Sequence, residues 1–105
     1  MNNTADIAII GLGTMGASLA RNFVNKGWKT QVYNRSLEKT RSFMQAHGQE
    51  NLTASETLED LVQSLQQPRK IIMMVSAGDA VDAVLLEISS LLDKGDILVD
   101  GGNSH

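Results

Sequence analysis

Several residue types are scarce in this 105-residue sequence, and their scarcity excludes several kinds of site. The absence of cysteine excludes disulfides, a thiolate nucleophile and thiolate metal ligands. The two histidines, His47 and His105, lie far apart without ligand-like spacing, so we expect no metal site. No apolar run approaches the ~20 residues that span a bilayer. The opening MNNTADIAIIG lacks the basic segment and cleavage site of a signal peptide, so we expect a cytoplasmic protein without a membrane partner.

Charge and length narrow the class further. The net charge is −3, and lysine and arginine are scattered along the chain rather than clustered, which argues against a nucleic-acid partner. The negative net charge does not exclude a small anionic ligand, because backbone N–H groups can bind an anion locally even on an acidic protein. The length is that of one globular domain.

Short apolar segments alternate with longer amphipathic ones, and glycines mark many of the boundaries. The hydrophobic periodicity predicts strands over Asp6–Ile10, Lys29–Tyr33, Lys70–Val75 and Ile97–Asp100, and helices over Met15–Lys26, Leu37–His47, Glu56–Gln67 and Asp79–Asp93. Ser36 and Ser55 are plausible N-caps for the second and third helices, and Pro68 would stop the third. The nearly all-apolar strand at Lys70 predicts burial on both of its faces.

The resulting order, β-α-β-α-α-β-α-β, predicts an α/β fold with a Rossmann-like, doubly wound parallel sheet. Ligands of such sheets bind outside the carboxyl ends of the strands, where every motif described below falls. A complete sheet of this type usually has six strands, and only four are predicted. We therefore expect residues 1–105 to form a single truncated domain with uncovered apolar surface.

The sequence Gly11-Leu12-Gly13-Thr14-Met15-Gly16 is a G-x-G-x-x-G turn between the first strand and the first helix. In that context Gly11 permits a tight turn, Gly13 lets the backbone approach a pyrophosphate, and Gly16 permits close packing of helix on strand. The positive end of the helix dipole and its free N–H groups would hold the anion. Met15 could either pack beneath the turn or contact the ligand.

The tip of the second strand, Tyr33-Asn34-Arg35-Ser36, indicates NADP rather than NAD. Sites for NAD usually carry Asp or Glu about 20 residues beyond the turn, where it binds the ribose 2′-hydroxyl. This tip has no carboxylate. Arg35 offers a guanidinium suited to a phosphate, and Asn34 and Ser36 offer neutral hydrogen-bond donors. The alternative role of Arg35 is a solvated charge paired with Glu38.

The segments GLGTMG, YNRS, PRKIIMMVSAG and LLDKGDILVDGGNSH together resemble 6-phosphogluconate dehydrogenase, from about Ile7 to Ser104. The first two segments are shared with the wider β-hydroxyacid dehydrogenases, whereas the VDGGN ending is more specific. The resemblance implies the NADP-binding portion of an enzyme that oxidatively decarboxylates 6-phosphogluconate to ribulose 5-phosphate, in gluconate utilization and the pentose phosphate pathway.

The resemblance also implies roles for individual residues. Cofactor contacts would come from Gly11 through Gly16, and contacts to the 2′-phosphate from Asn34, Arg35 and Ser36. The turn Val75-Ser76-Ala77 would line the cofactor, and Asn103 would reach both the nicotinamide and the substrate. Two positions depart from the family: Ser76 replaces a usual lysine, and Gly13 stands where alanine is frequent.

The family's acid–base residues, its helical domain and its homodimer contacts lie beyond the matched segment. We therefore expect no catalytic residue in this chain, and we expect the isolated chain to bind NADP without turnover. The full enzyme would act on a sugar-acid phosphate. Two alternatives remain at this point: a dehydrogenase of 3-hydroxyisobutyrate type, for which GLGTMG and YNRS would serve equally well, and a non-enzymatic nucleotide-binding module.

Overall fold

Strands and helices alternate along the chain in the computed structural model, which describes residues 5–74 and 79–100. The elements are β1 (Ile7–Ile10), α1 (Thr14–Asn25), β2 (Thr30–Tyr33), α2 (Leu37–His47), β3 (Leu52–Ala54), α3 (Leu58–Gln63), β4 (Lys70–Met73), α4 (Asp79–Leu91) and β5 (Ile97–Asp100).

These strands form one parallel sheet in the order β3-β2-β1-β4-β5. The central strand β1 pairs with β2 on one side, Ile7 opposite Thr30, and with β4 on the other, Ala8 opposite Ile71. After β3 the chain crosses to the far side of β1, so the direction of winding reverses between β1 and β4. This arrangement confirms the Rossmann-like doubly wound sheet, and its switch point lies at the carboxyl end of β1.

Both faces of the sheet are covered by helices, and β1 supplies side chains to two separate cores. Ala8 and Ile10 point towards α3 and α4, in a core with Leu61, Ile71 and Met73 among others. Ile9 points the opposite way, towards α1 and α2, in a core with Val24, Val32 and Phe43 among others. Because successive side chains of a strand alternate between faces, a strand buried on both faces must be apolar throughout. The prediction that the strand at Lys70 is covered on both faces is confirmed, since Ile71 and Ile72 pack in different cores.

The sequence-based prediction of four strands is wrong, because a fifth strand, β3, forms the edge next to β2. Its three residues pair in parallel with β2, Leu52 opposite Thr30 and Ala54 opposite Val32. A three-residue segment, LTA, is too short to show a period, so its strand conformation depends on the hydrogen bonds that β2 provides.

The third helix is shorter than predicted and is capped by a different residue. The helix runs over Leu58–Gln63, not Glu56–Gln67, and its N-cap is Thr57, whose side chain accepts a hydrogen bond from the Asp60 N–H at 3.0 Å. Ser55 does not cap it; the Ser55 hydroxyl accepts from the Gln31 amide in β2, at 2.6 Å.

The helix ends well before Pro68 because the following residues pair with the start of the chain. The Ala5 N–H donates to the Ser64 carbonyl at 2.9 Å, and the Gln66 N–H donates to the Ala5 carbonyl at 3.1 Å. Leu65, between them, is fully buried. An extra parallel bridge between Ala5 and Leu65 therefore replaces the last predicted turn of the helix.

Helix α1 packs on the sheet through small side chains. Its buried residues are Gly16, Ala20 and Val24, whereas Met15 is 67% exposed. Met15 therefore does not pack beneath the glycine turn.

The far edge of the sheet is less covered. Among the described side chains of α4, Ile88 is the fully buried one; Val81 lies outside them. Val84, Leu85 and Leu91 of α4, and Leu92 just after it, are partly buried. Ile97 and Val99 of β5 are about half exposed, at 50% and 47%. No helix within the described ranges is long and apolar enough to cross a membrane.

Candidate cofactor site

The glycine turn joins β1 to α1 at the switch point, and two of its glycines are required by the protein itself. Gly11 has a φ of +98°, a conformation that L side chains rarely adopt. An ideal Cβ at Gly16 would overlap the carbonyl oxygen of Gly11, so only glycine lets α1 approach β1 this closely. Both assignments made from the motif are confirmed.

Gly13 differs from these two glycines. A Cβ added there would meet no atom of residues 5–74 and 79–100 within 4 Å, and the Gly13 φ of −68° is ordinary for any residue. Nothing in the part of the chain that the structure describes therefore requires glycine at this position. The open space in front of Gly13 fits a ligand that approaches the backbone closely, as a pyrophosphate does in this motif.

The start of α1 presents backbone N–H groups that no side chain of the described residues caps. The first N–H groups of a helix have no acceptor within the helix, and no described side chain caps those of α1, which also has no acidic residue in its first turn. By contrast, α2 and α3 are capped by Ser36 and Thr57; the first turn of α2 has one acidic residue and that of α3 has two. The uncapped helix end next to Gly13 is suited to an anion.

The tip of β2 lies directly beside the turn. The Gly11 N–H donates to the Tyr33 carbonyl at 2.8 Å, and the Leu12 N–H donates to Oδ1 of Asn34 at 2.7 Å. The structure thus brings together the two motifs, which are 22 residues apart in the sequence. The contact between Leu12 and Asn34 was not foreseen, because no sequence pattern indicates which backbone group a strand-end asparagine will bind.

Arg35 and Ser36 follow on the exposed side of the tip. The Ser36 hydroxyl accepts from the Lys39 N–H at 3.3 Å, which confirms Ser36 as the N-cap of α2 and leaves its proton free to donate. Arg35 is exposed, and across residues 5–74 and 79–100 the only ion pairs are those of Arg69. Arg35 therefore has no ion pair with Glu38 in this structure, and its guanidinium is available to a ligand.

Four predicted site residues, Val75, Ser76, Ala77 and Asn103, lie outside the described residues. Strand β4, which precedes Val75, Ser76 and Ala77, ends beside the carboxyl end of β1. The Met74 N–H donates to the Ile10 carbonyl at 2.7 Å, so β4 reaches the same edge as the glycine turn.

A cluster of charged side chains lies at the amino ends of β4 and β5, and no pattern in the sequence predicted it. Asp96 is held by the backbone N–H groups of Arg69 and Asp93, at 2.7 and 2.8 Å, and by the Arg69 guanidinium at 3.1 Å. Burial raises the pKa of this carboxyl, but the two backbone N–H groups and the guanidinium outweigh burial and leave the pKa below its ordinary value. The cluster joins the residue before β4 to the turn before β5. It lies at the amino ends of the strands, whereas ligands of such sheets bind at the carboxyl ends, so its role is structural.

A groove elsewhere on the sheet does not contribute to the site. A groove of about 340 Å³ lies at the amino ends of β2 and β3, lined by Lys29, Thr30 and Glu50 among others, and contains none of the glycine-turn residues. Within the part of the chain that the structure describes, no group of three or more acidic or histidine side chains could hold a metal ion.

The fold and the turn together define a Rossmann-type dinucleotide-binding domain. Residues 6–105 match the family model described as the NAD binding domain of 6-phosphogluconate dehydrogenase, and the chain belongs to that family. The chain superposes on 6-phosphogluconate dehydrogenase of Plasmodium falciparum with a TM-score of 0.86 and 41% identity, covering 95% of this chain and 22% of that one.

Two curated relatives from Bacillus subtilis strain 168 are equally similar to this chain. One is an NAD(+)-dependent and the other an NADP(+)-dependent decarboxylating 6-phosphogluconate dehydrogenase; each is 46% identical over 94% of this chain and 21% of its own length. The chain thus spans about a fifth of the length of these relatives.

Proposed function

We propose that this chain binds NADP at the carboxyl edge of β1 and β2 and is the cofactor-binding portion of a decarboxylating 6-phosphogluconate dehydrogenase. The observation that carries the choice of NADP is the tip of β2, where Arg35 is exposed and free of ion pairs in the described structure and no carboxylate is present. A 2′-phosphate carries about two negative charges, which a guanidinium attracts and a carboxylate would repel.

Overall sequence identity to relatives does not distinguish NADP from NAD as the cofactor. The two relatives from Bacillus subtilis have the same identity to this chain and different cofactors in their names. Selectivity must therefore come from the few side chains that reach the adenosine 2′ position.

The cofactor fits the residues present. The N–H groups at the start of α1 would hold the pyrophosphate, and the open space at Gly13 would admit it. Arg35 and Ser36 would bind the 2′-phosphate, with Asn34 beside them. When bound, NADP would accept a hydride through its nicotinamide ring, here from C3 of the sugar acid. Val75, Ser76 and Ala77 would line the cofactor, and Asn103 would reach nicotinamide and substrate, as the family resemblance implies.

The chemistry of decarboxylation is assigned to the rest of a longer enzyme. The Plasmodium falciparum enzyme is known in complex with its substrate 6-phosphogluconate, and we extend this substrate class, a sugar-acid phosphate, to the full enzyme. Lys94 is not a candidate acid or base, since it lies in the turn before β5. That turn is at the amino ends of the strands, whereas the glycine turn is at their carboxyl ends. We further propose a cytoplasmic homodimer for the full enzyme, and no turnover by this domain alone.

The 3-hydroxyisobutyrate-type alternative is less well supported, because relatives at 41–46% identity are 6-phosphogluconate dehydrogenases. No observation in the described part of the structure favours it or a non-enzymatic module.

A thermal-shift titration with NADP, NAD and 2′,5′-ADP tests the proposal. A ligand that binds only the folded state stabilises it by about 2.7 kcal/mol at one hundred times its dissociation constant. We expect stabilisation by NADP and 2′,5′-ADP at concentrations where NAD has little effect. Stabilisation by NAD alone would overturn the assignment of NADP, and NADP-dependent oxidation of 6-phosphogluconate by the chain would overturn the expectation of no turnover.

A further inference from the structure

The side chain of Asn34 is directed at the glycine turn. Its Oδ1 accepts the Leu12 N–H at 2.7 Å, and its Nδ2 donates to the Ser36 carbonyl over a longer 3.4 Å. Leu12 is only 5% exposed, and its side chain lies in the core between the sheet and α1. The amide of Asn34 thus joins a buried turn residue to the start of α2.

The position of this contact explains what it does for the backbone. The ladder between β1 and β2 continues through the bond from the Gly11 N–H to the Tyr33 carbonyl. At Leu12 the chain turns away from β2, and the side-chain oxygen of Asn34 accepts the partly buried N–H, which has no other partner among the described residues. An unpaired buried N–H is costly, so Asn34 favours the observed turn over its alternatives.

The same contact divides the N–H groups of the turn into two sets. The Leu12 N–H is bound within the protein and is not available to a ligand. The N–H groups beyond Gly13, at the uncapped start of α1, are those that remain for an anion. Their direction depends on the turn, and therefore on the residue that holds it.

We propose that Asn34 is a positioning residue for the whole dinucleotide: it fixes the glycine turn by accepting the Leu12 N–H, and so supports NAD and NADP equally. This inference rests on the proposed function and refines it, because it separates Asn34 from Arg35. Arg35 discriminates between the two cofactors, whereas Asn34 sets the affinity that they share.

Binding of NADP and NAD to three variants tests this division of roles. Asn34→Ala removes the acceptor, and we expect both dissociation constants to rise by about tenfold, the effect of losing one net hydrogen bond. Their ratio should stay within about twofold of the wild-type ratio. Arg35→Ala should instead weaken NADP and leave NAD unchanged. Asn22→Ala makes the same substitution on the exposed side of α1, where no side-chain hydrogen bond is seen within the described residues, and should change neither affinity.

Asn34→Asp provides the rescue. A carboxylate still accepts the Leu12 N–H, so NAD affinity should return to the wild-type level or exceed it. NADP affinity should stay low, because the new negative charge repels the 2′-phosphate.

A measurement without cofactor shows whether Asn34 acts on the glycine turn itself rather than through contact with the ligand. Amide hydrogen exchange at Leu12, without cofactor, should be faster in Asn34→Ala and slow in Asn34→Asp and the wild type. The proposal is overturned if Asn34→Ala weakens NADP alone, as Arg35→Ala does, if it changes neither affinity, or if Leu12 exchange is unaltered. Failure of the wild-type chain to bind either dinucleotide would contradict the proposed function instead, and the exchange measurement would still decide whether Asn34 holds the turn.

Discussion

Gly16 lies so close to Gly11 that a Cβ on Gly16 would overlap the Gly11 carbonyl oxygen, whereas a Cβ on Gly13 would meet no atom of the described residues within 4 Å. Two glycines of one motif thus differ in what the packing requires. Gly16 is needed for the close packing of α1 on β1, whereas the described residues leave room for a side chain at Gly13.

Gly16→Ala should destabilise the chain, because the new methyl group meets backbone that cannot move aside without displacing α1 or the turn. Overpacking of this kind costs about 1–3 kcal/mol. Gly13→Ala is the matched control and should leave the free energy of unfolding unchanged within about 0.5 kcal/mol. Urea denaturation of the two variants without ligand measures both effects. Equal stability of the two variants would contradict the steric argument.

Arg35→Ala should weaken NADP binding by about 10- to 100-fold, since hydrogen bonds to charged groups contribute about 1.5–3 kcal/mol. The loss should shrink as salt is added, because Arg35 is exposed and its charge is screened. Calorimetric titration with 2′,5′-ADP and with 5′-AMP isolates the phosphate contribution, and 5′-AMP should bind wild type and variant alike. If the variant bound 5′-AMP as weakly as 2′,5′-ADP relative to wild type, Arg35 would not contact the 2′-phosphate.

Asp96→Asn should lower stability at pH 7 by about 2 kcal/mol, because the Asp96 carboxylate is 1% exposed and accepts two backbone N–H bonds and one from Arg69. The pKa of Asp96 is lowered from its ordinary value of 3.8, so its contribution is present above that value and is lost as the pH falls through the lower, folded pKa. The acid limb of the stability curve should therefore be shallower in the variant.

Denaturation midpoints between pH 7 and pH 2 check this prediction. Glu56→Gln makes the same change from carboxylate to amide at an exposed position and should leave both the stability and its acid limb close to wild type. A variant of Asp96 with wild-type acid sensitivity would show that another carboxyl controls acid unfolding.

Ser55→Ala should weaken the edge of the sheet. Gln31 of β2 donates to the Ser55 hydroxyl at 2.6 Å, and its Oε1 accepts from the Thr53 hydroxyl in β3. Ser55 and Gln31 are both buried, so removing the hydroxyl leaves an amide donor unpaired at a cost of about 1–3 kcal/mol. Hydrogen exchange in β3 should speed up relative to β1, whereas Ser42→Ala, on the exposed side of α2, should have no such effect. Uniform exchange changes across the sheet would argue against a local role.

The sequence by itself determined the fold class, most helix boundaries to within a few residues, and the chemistry of the turn. These features depend on local patterns: apolar period, glycine position and the residue types at a strand end. Helix α2 was predicted with its observed bounds, since its cap, its periodicity and its closing glycine all lie within the segment itself.

The tertiary structure alone decided β3, the early end of α3 and the partners of Asn34, Ser55 and Asp96. Each of these depends on a hydrogen bond between residues more than 20 positions apart. Three residues of β3 have no intrinsic preference strong enough to predict a strand, and Leu65 leaves the helical pattern because Ala5 offers a parallel bridge. A side chain's residue type limits which bonds it can make, but only the packed sheet places a particular donor within its reach.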